Sequence, residues 1–285
     1  MKPKAQYIPG ALLLALGATP LVAGVTIPHT FQSGETAVAD EVNANFEALR
    51  EELAAAQDRI ADLESDRDDM QELHEHVEVI NVHPDDPNAQ TVRFSGVDVQ
   101  IVNGEGETDI INGVGNLIVG YNEARGVYEG EVCSDGQYDD QTDCTTNGGA
   151  WAQNHKSGSH NIVGGSGNSY SSYGGLVVGQ QNAINRDYAS VSAGLRNIAS
   201  GEQSSVSGGA LNTAEGRWSS VSGGDENEAS GEISSISGGW NNSAASGRSS
   251  VSGGGWNTAE GQGSSILGGT SATASGGYET IPEIE

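Results

Sequence analysis

The stretch SSVSGGALNTAEGRW at residues 204–218 returns as SSVSGGDENEASGEI from 219, SSISGGWNNSAASGR from 234 and SSVSGGGWNTAEGQG from 249. A fifteen-residue period held this strictly leaves few folds open. Each repeat must be one turn of a coil that packs against its neighbours, which is a solenoid. Steps of fifteen from Gly164 land on Gly179, Gly194, Gly209, Gly224, Gly239, Gly254 and Gly269, and predict eight turns in register. Three positions after most of these glycines stand Asn182, Asn197, Asn212, Asn227, Asn242 and Asn257, and seven after stand Gly201, Gly216, Gly231, Gly261 and Gly276. Asn and Gly tolerate positive φ, so both columns are expected to be bends. Val191, Val206, Val221, Ile236, Val251 and Ile266 form one further column, and Ala199, Ala214, Ala229, Ala244, Ala259 and Ala274 another. One β-branched and one small apolar residue per turn predict two inward-facing strand positions.

One Val and one Ala per turn bury little. Ordering the backbone costs roughly 1–2 kcal/mol per residue, so a lone coil with this interior is expected to fall short, whereas three coils around one axis could share a core. The chain is only 35% hydrophobic, with three Phe and 42 Gly, which makes a conventional globular core hard to build.

The segment before the repeats has a different period. Val42, Phe46, Leu49, Leu53, Ala56, Ile60, Leu63, Arg67, Met70, His74 and Val77 step by four and three, with acidic, Gln and Arg residues between them and neither Gly nor Pro. This predicts a coiled-coil helix of about five heptads. Phe46, Leu53, Ile60, Arg67 and His74 take position a, and Leu49 and Leu63 are among the d residues. The run RIADLE, Arg59 to Glu64, resembles the R-h-x-x-h-E trimerisation motif of coiled coils. Arg59 at g lays its methylenes over the seam and reaches a Glu64 at e on the next helix. Arg67 and His74 at a form polar rings that set register. His74, His76 and His83 do not suggest a metal site, because neighbours two apart on a helix point about 200° from one another.

Two sequence features bear on compartment. Lys2 and Lys4 precede the apolar run GALLLALGATPLVA, so residues 1–23 are expected to be a secretory signal, too short in its apolar part to span a bilayer. Its removal takes away two lysines and no acid, moving the formal net charge from −27 to −29 and leaving Lys156 as the sole lysine. Nucleic acid is an unsuitable partner for such a surface. Cys133 and Cys144 fit an oxidising compartment and one short disulfide. The expected organisation is a signal at 1–23, an extended leader at 24–36, the stalk at 37–79, a neck at 80–100, a solenoid head at 101–276 with an insertion at 123–157, and a tail at 277–285.

SVSGGALNTAEGRWS is similar to the S-V-A-I-G-x-x-S-x-A-x-G pattern of YadA-like heads in trimeric autotransporter adhesins, and NGVGNLIVGYN (112–122) and GSHNIVGG (158–165) resemble more degenerate turns. The resemblance covers about residues 101–276. It implies a left-handed parallel β-roll, a homotrimer and an adhesive role. The period departs from that family, being fifteen where those heads usually show fourteen. The helix also comes before the repeats, and GGYETIPEIE at 276–285 contains no membrane-barrel strand, so no integral membrane anchor is expected.

Nine positions after each marker glycine the repeat varies: Tyr173, Tyr188, Gln203, Trp218, Ile233, Arg248 and Gly263. A variable column on a solenoid is expected to be a surface stripe. Tyr173, Tyr188 and Trp218, with Trp240 and Trp256 at other positions, either stack on sugars or meet a protein ligand, or else cover trimer seams. The insertion carries Asp135, Asp139, Asp140 and Asp143, but not the ligand order of a known calcium loop, and is read as a disulfide-stapled decoration without metal. No motif places a nucleophile beside a base or supplies a zinc centre, so neither enzyme activity nor a cofactor is expected. The expected function is that of an exported, adhesin-like trimer with an extracellular glycan or matrix-protein ligand. The alternatives are a structural spacer and, through the column Ser205, Ser220, Ser235 and Ser250, an ice-binding solenoid.

Overall fold

A computed structural model describes residues 26–34, 36–82, 84–86, 88–125, 131–135, 138 and 140–282. The signal assigned to residues 1–23 lies outside the described residues, as do His83 and Asp139. The chain divides into two compact units, residues 1–99 and 100–285.

In the first unit a single helix, α1 (Ala39–His76), runs for 38 residues. Asp40 and Glu41 in its first turn complement the helix dipole. His29 N–H donates to Asn45 Oδ1 and Asn45 Nδ2 donates back to the His29 carbonyl, tying the leader to the helix. Val77 does not continue the helix but opens β1 (Val77–Ile80), which pairs antiparallel with β2 (Thr91–Phe94). The seam ends there because the backbone turns extended at Val77, φ −126 and ψ 120. None of the helix residues is buried, and Phe46, Leu49, Leu53, Ile60, Leu63 and Met70 are exposed.

The second unit is a parallel β-solenoid of about eight repeated turns, with two short strands per turn. One sheet of ten strands begins with β3 (Leu117–Val119), β6 (Ile162–Ser166) and β8 (Leu176–Gln180) and continues from Ser190–Val191 through Ser205–Val206 to Thr280–Ile281. The other, of eight strands, begins with β7 (Ser169–Tyr170) and β9 (Ala183–Ile184) and continues from Ile198–Ala199 through Thr213–Ala214 to Thr273–Ala274. Two residues per strand suffice because the ladder runs along the coil, each strand pairing with the same strand of the next turn.

The fifteen-residue register holds from Val191 onward but slips before it. Val163 pairs with Val177 and Val177 with Val191, two steps of fourteen. Gly165, not Gly164, pairs with Gly179 and shares its left-handed backbone, φ 95 and 111, whereas Gly164 pairs with Val178. The extra residue enters after Val191, since Gln180 pairs with Leu195.

The core closes within one chain. The column from Val191 to Ile266 and the column from Ala199 to Ala274 are buried throughout, at no more than 1% exposure. Earlier turns put Tyr170 and Ile184 where later ones put Ala. The shared axis expected from a weak interior is therefore not needed to bury these columns. What strengthens them is the amide column: Asn182, Asn197, Asn212, Asn227, Asn242 and Asn257 are as buried as the valines, as are Ser204, Ser219, Ser234, Ser249 and Ser264, though the hydroxyls of Ser219, Ser234 and Ser264 have no hydrogen-bond partner among the described residues. Each Asn Oδ1 accepts the backbone N–H of the equivalent residue one turn on, as from Asn212 to Asn197 and from Asn227 to Asn212 at 3.0 Å each, and from Ala272 to Asn257 at the end of the column. Each Nδ2 donates to carbonyls on its own and the next turn, so the amides form a satisfied internal ladder.

The bends also differ from expectation. The Asn column and the glycines from Gly201 to Gly276 do not take positive φ. Gly201 and Gly216 are glycine because turns approach closely there: a Cβ on Gly216 would lie 2.0 Å from the Gly231 carbonyl oxygen. Beside the marker glycines from Gly179 to Gly269, which take positive φ, the left-handed residues of the repeats form two columns with varied side chains, one running Gln181, Arg196, Leu211, Glu226, Asn241, Trp256 and the other Tyr188, Gln203, Trp218, Ile233, Arg248. This backbone aims their N–H groups at the preceding turn, as Trp218 donates to the Glu202 carbonyl at 3.0 Å and Ile233 to that of Arg217 at 2.8 Å. Ile233, β-branched at φ 61, is the most strained residue type in the set. Ile233→Asn keeps the ladder bond and relieves the strain, so it should raise stability by about 0.5–1 kcal/mol in thermal unfolding. Unchanged or lower stability would contradict this account of the bend.

Candidate functional site

The aromatic candidates fall on two edges of the coil. Tyr188 and Trp218 stand in the bend that follows the second strand of a turn, and Trp240 and Trp256 in the bend that follows the first. Tyr173 lies one position outside the variable column, because in the fourteen-residue turns Gly174, φ 69, takes the place equivalent to Tyr188. Tyr173 shares instead the column of Asp187, Glu202 and Arg217, whose carbonyls accept the N–H of the left-handed residue one turn on.

Three aromatic groups result. Tyr173 and Tyr188 meet edge to face with ring centroids 5.2 Å apart. Burial, the Asp187 carboxylate and the Tyr188 hydroxyl push the Tyr173 phenol up to about 12, so it remains a neutral donor at any physiological pH. Trp218 Nε1 donates to Gln203 Oε1 at 2.8 Å, and the Arg217 guanidinium lies 3.9 Å from the centroid of its indole. Trp240 and Trp256, on successive turns, have ring centroids 3.6 Å apart. The Trp240 indole covers Gly255, where a Cβ would sit 2.4 Å from its Nε1. Tyr188, Trp218, Trp240 and Trp256 are all close to half exposed, so each edge offers open aromatic surface.

The serine column Ser205, Ser220, Ser235 and Ser250 stands in register on the outer side of the ten-stranded sheet, each residue half-buried, and Ser250 Oγ donates to Ser265 Oγ at 3.0 Å.

The insertion is a small structure of its own, docked on the opening turns. Strand β4 (Val132–Cys133) pairs antiparallel with β5 (Trp151–Ala152), and α2 (Gln141–Thr146) lies between them. Cys133 and Cys144 form the expected disulfide, with Cα atoms 5.7 Å apart. Asp140 caps α2 by accepting from Asp143 N–H, which holds its carboxyl below the ordinary value. Asn185 Nδ2 donates to the Cys133 and Ser134 carbonyls, and Arg186 pairs with Asp135 at 2.5 Å.

The closing residues of the insertion belong to the coil. The His155 carbonyl accepts from Tyr170 N–H at 2.6 Å and Lys156 bridges to Tyr170, so this segment covers the free edge of β7. His155 Nε2 contacts the Val132 carbonyl and Lys156 Nζ donates to that of Asn122. Burial pulls the Lys156 ammonium below its ordinary pKa, against the opposing pull of Glu123. Arg125, also buried, donates to the carbonyls of Gly167 and Gln181 and so joins two turns. Nothing in the residue pattern marks Arg125, because arginines are read from sequence as surface.

Among the described residues no group of three or more His, Cys, Asp or Glu is placed to hold a metal ion, and no helix is long and apolar enough to cross a membrane. Neither Arg59 nor Glu64 forms an ion pair within the chain among the described residues. No protein-family model matches the sequence, and no curated protein is significantly similar to it.

Proposed function

We propose that this protein is an exported, homotrimeric, non-enzymatic surface or matrix protein. In this reading a YadA-like, left-handed head stands on an N-terminal trimeric coiled coil and presents a binding face to an extracellular glycan or matrix protein. The observation that carries the reading is the solenoid with open aromatic residues on its bends, where a structural coil has no need of Trp. The two opening turns of fourteen residues also bring the head nearer to the period of the adhesin heads it resembles. The unburied heptad seam of α1, with neither Arg59 nor Glu64 in an ion pair among the described residues, supports the trimer. The disulfide fits an oxidising, extracellular setting. A net charge of −27 disfavours nucleic acid.

Binding of the mature protein to immobilised glycans and matrix proteins tests this. Paired substitution of Tyr188 and Trp218, or of Trp240 and Trp256, by alanine should weaken capture at least tenfold, about 1.4 kcal/mol, for the edge that carries the contact. If both double variants bind as the parent does, or the parent captures nothing, the aromatic edges are not a binding face and the chain is a spacer.

A further inference from the structure

We propose that the cleft between the insertion and the opening turns of the solenoid binds a single sugar ring. The cleft measures about 420 Å³, within the range of roughly 300–1,000 Å³ found for small-molecule sites. Asp135 and Asn147 line it from the insertion, and Ser172, Asn185, Arg186 and Asp187 from the coil.

The lining selects against ions of either sign. A hard divalent cation takes six to eight oxygens with no competing positive charge, whereas here Arg186 stands in the wall, paired with Asp135, and Asp187 already accepts from Ser172 Oγ. An anion would meet two carboxylates and one guanidinium. The wall offers donors and acceptors side by side, from guanidinium, amide, hydroxyl and carboxylate, and this is the complement of a neutral ring rich in hydroxyls.

Asn185 gives the second indication. It is only 4% exposed and spends both amide hydrogens on insertion carbonyls, while its Oδ1 is buried and has no hydrogen-bond partner among the described residues. A buried acceptor left without a donor is costly, and a ligand hydroxyl would supply one. The inference takes its ligand class from the proposed adhesive role but not its location, since neither tryptophan edge contributes to the cleft lining.

The test is ligand-observed NMR on the mature protein with free glucose, galactose, mannose, N-acetylglucosamine and N-acetylgalactosamine, with and without calcium chloride. At least one sugar should bind without calcium, and Asp187→Asn and Ser172→Ala should each weaken it at least tenfold while circular dichroism stays that of the parent. Ser172→Ala leaves the Arg186–Asp135 pair in place, so it reads the cleft even if Asp187→Asn loosens the insertion. Failure of every sugar in the panel overturns the inference, as does binding that neither variant alters. Calcium binding lost in the variants, with no sugar bound, would make the cleft a cation site and likewise overturn it. Capture on immobilised ligands that depends on the tryptophans, with no sugar in the cleft, would leave the adhesive reading standing and remove only this one.

Discussion

Replacing Leu53 and Ile60 together by aspartate is expected to convert a trimeric particle into a monomer, with the mass by light scattering falling to a third. The helix should be lost with the trimer. Helices in water draw most of their stability from packing an apolar face, and α1 buries no residue within its own chain. Leu53 and Ile60, 60% and 55% exposed, sit at a positions one heptad apart, and placing six carboxylates there in a trimer combines desolvation with repulsion. The far-ultraviolet helical signal should collapse while hydrogen exchange in the solenoid stays slow, because the Val, Ala and Asn columns are closed within each chain. Arg59→Ala should act in the same direction but mildly, raising the concentration at which the trimer dissociates. A parent protein that is monomeric at all concentrations, or a trimer that survives both aspartates, would remove the stalk from the account and with it the shared-axis homotrimer.

How much of this could be read from residues alone depends on what each position requires. The glycines from Gly179 to Gly254 are countable because each meets the same demand: a positive φ, and an adjacent turn so near that a Cβ on Gly209 would lie 2.1 Å from the Gly224 carbonyl oxygen. The step from Gly165 to Gly179 was not, since Gly164 and Gly165 are identical in text and only the ladder distinguishes them. The left-handed columns were invisible for the opposite reason. Backbone N–H placement is what those positions need, and Trp218, Ile233 and Arg248 all meet it. The Val and Ala columns were legible by pattern as strand interior, but the Asn and Ser columns were not counted as core, because hydropathy treats an amide as surface unless its partners are known. The candidate site divides in the same way. The disulfide needed only two cysteines, whereas separating the aromatic residues into two edges and assembling the cleft from residues more than fifty positions apart both required the register.

Because those amides are interior, Asn227→Ala should be among the most damaging single changes in the solenoid. Asn227 Nδ2 donates to the Gly223 and Gly239 carbonyls and to Asn212 Oδ1, and its Oδ1 accepts the N–H of Asn242 at 3.0 Å. Removing the side chain strands the Asn242 N–H and the Gly223 carbonyl in a place water does not reach. Each buried group left unpaired costs about 1–3 kcal/mol, and the void adds to that, so the expected loss is about 3–5 kcal/mol. For a unit of this size that corresponds to a fall in Tm of roughly 10 °C. Asn227→Asp should be worse than Ala, since it loses the Nδ2 donors and sets a carboxylate against carbonyl oxygens. Ser243→Ala, on the outward side of the neighbouring strand, is the control and should stay within about 0.5 kcal/mol. The damage should also spread along the coil, because Asn242 in turn orders Asn257 and the break interrupts a nearest-neighbour ladder. Hydrogen exchange after Asn227→Ala should quicken on both flanking turns. A Tm within 2–3 °C of the parent, about the value of a single kcal/mol at this size, would mean that the amide ladder fills space without holding the turns together.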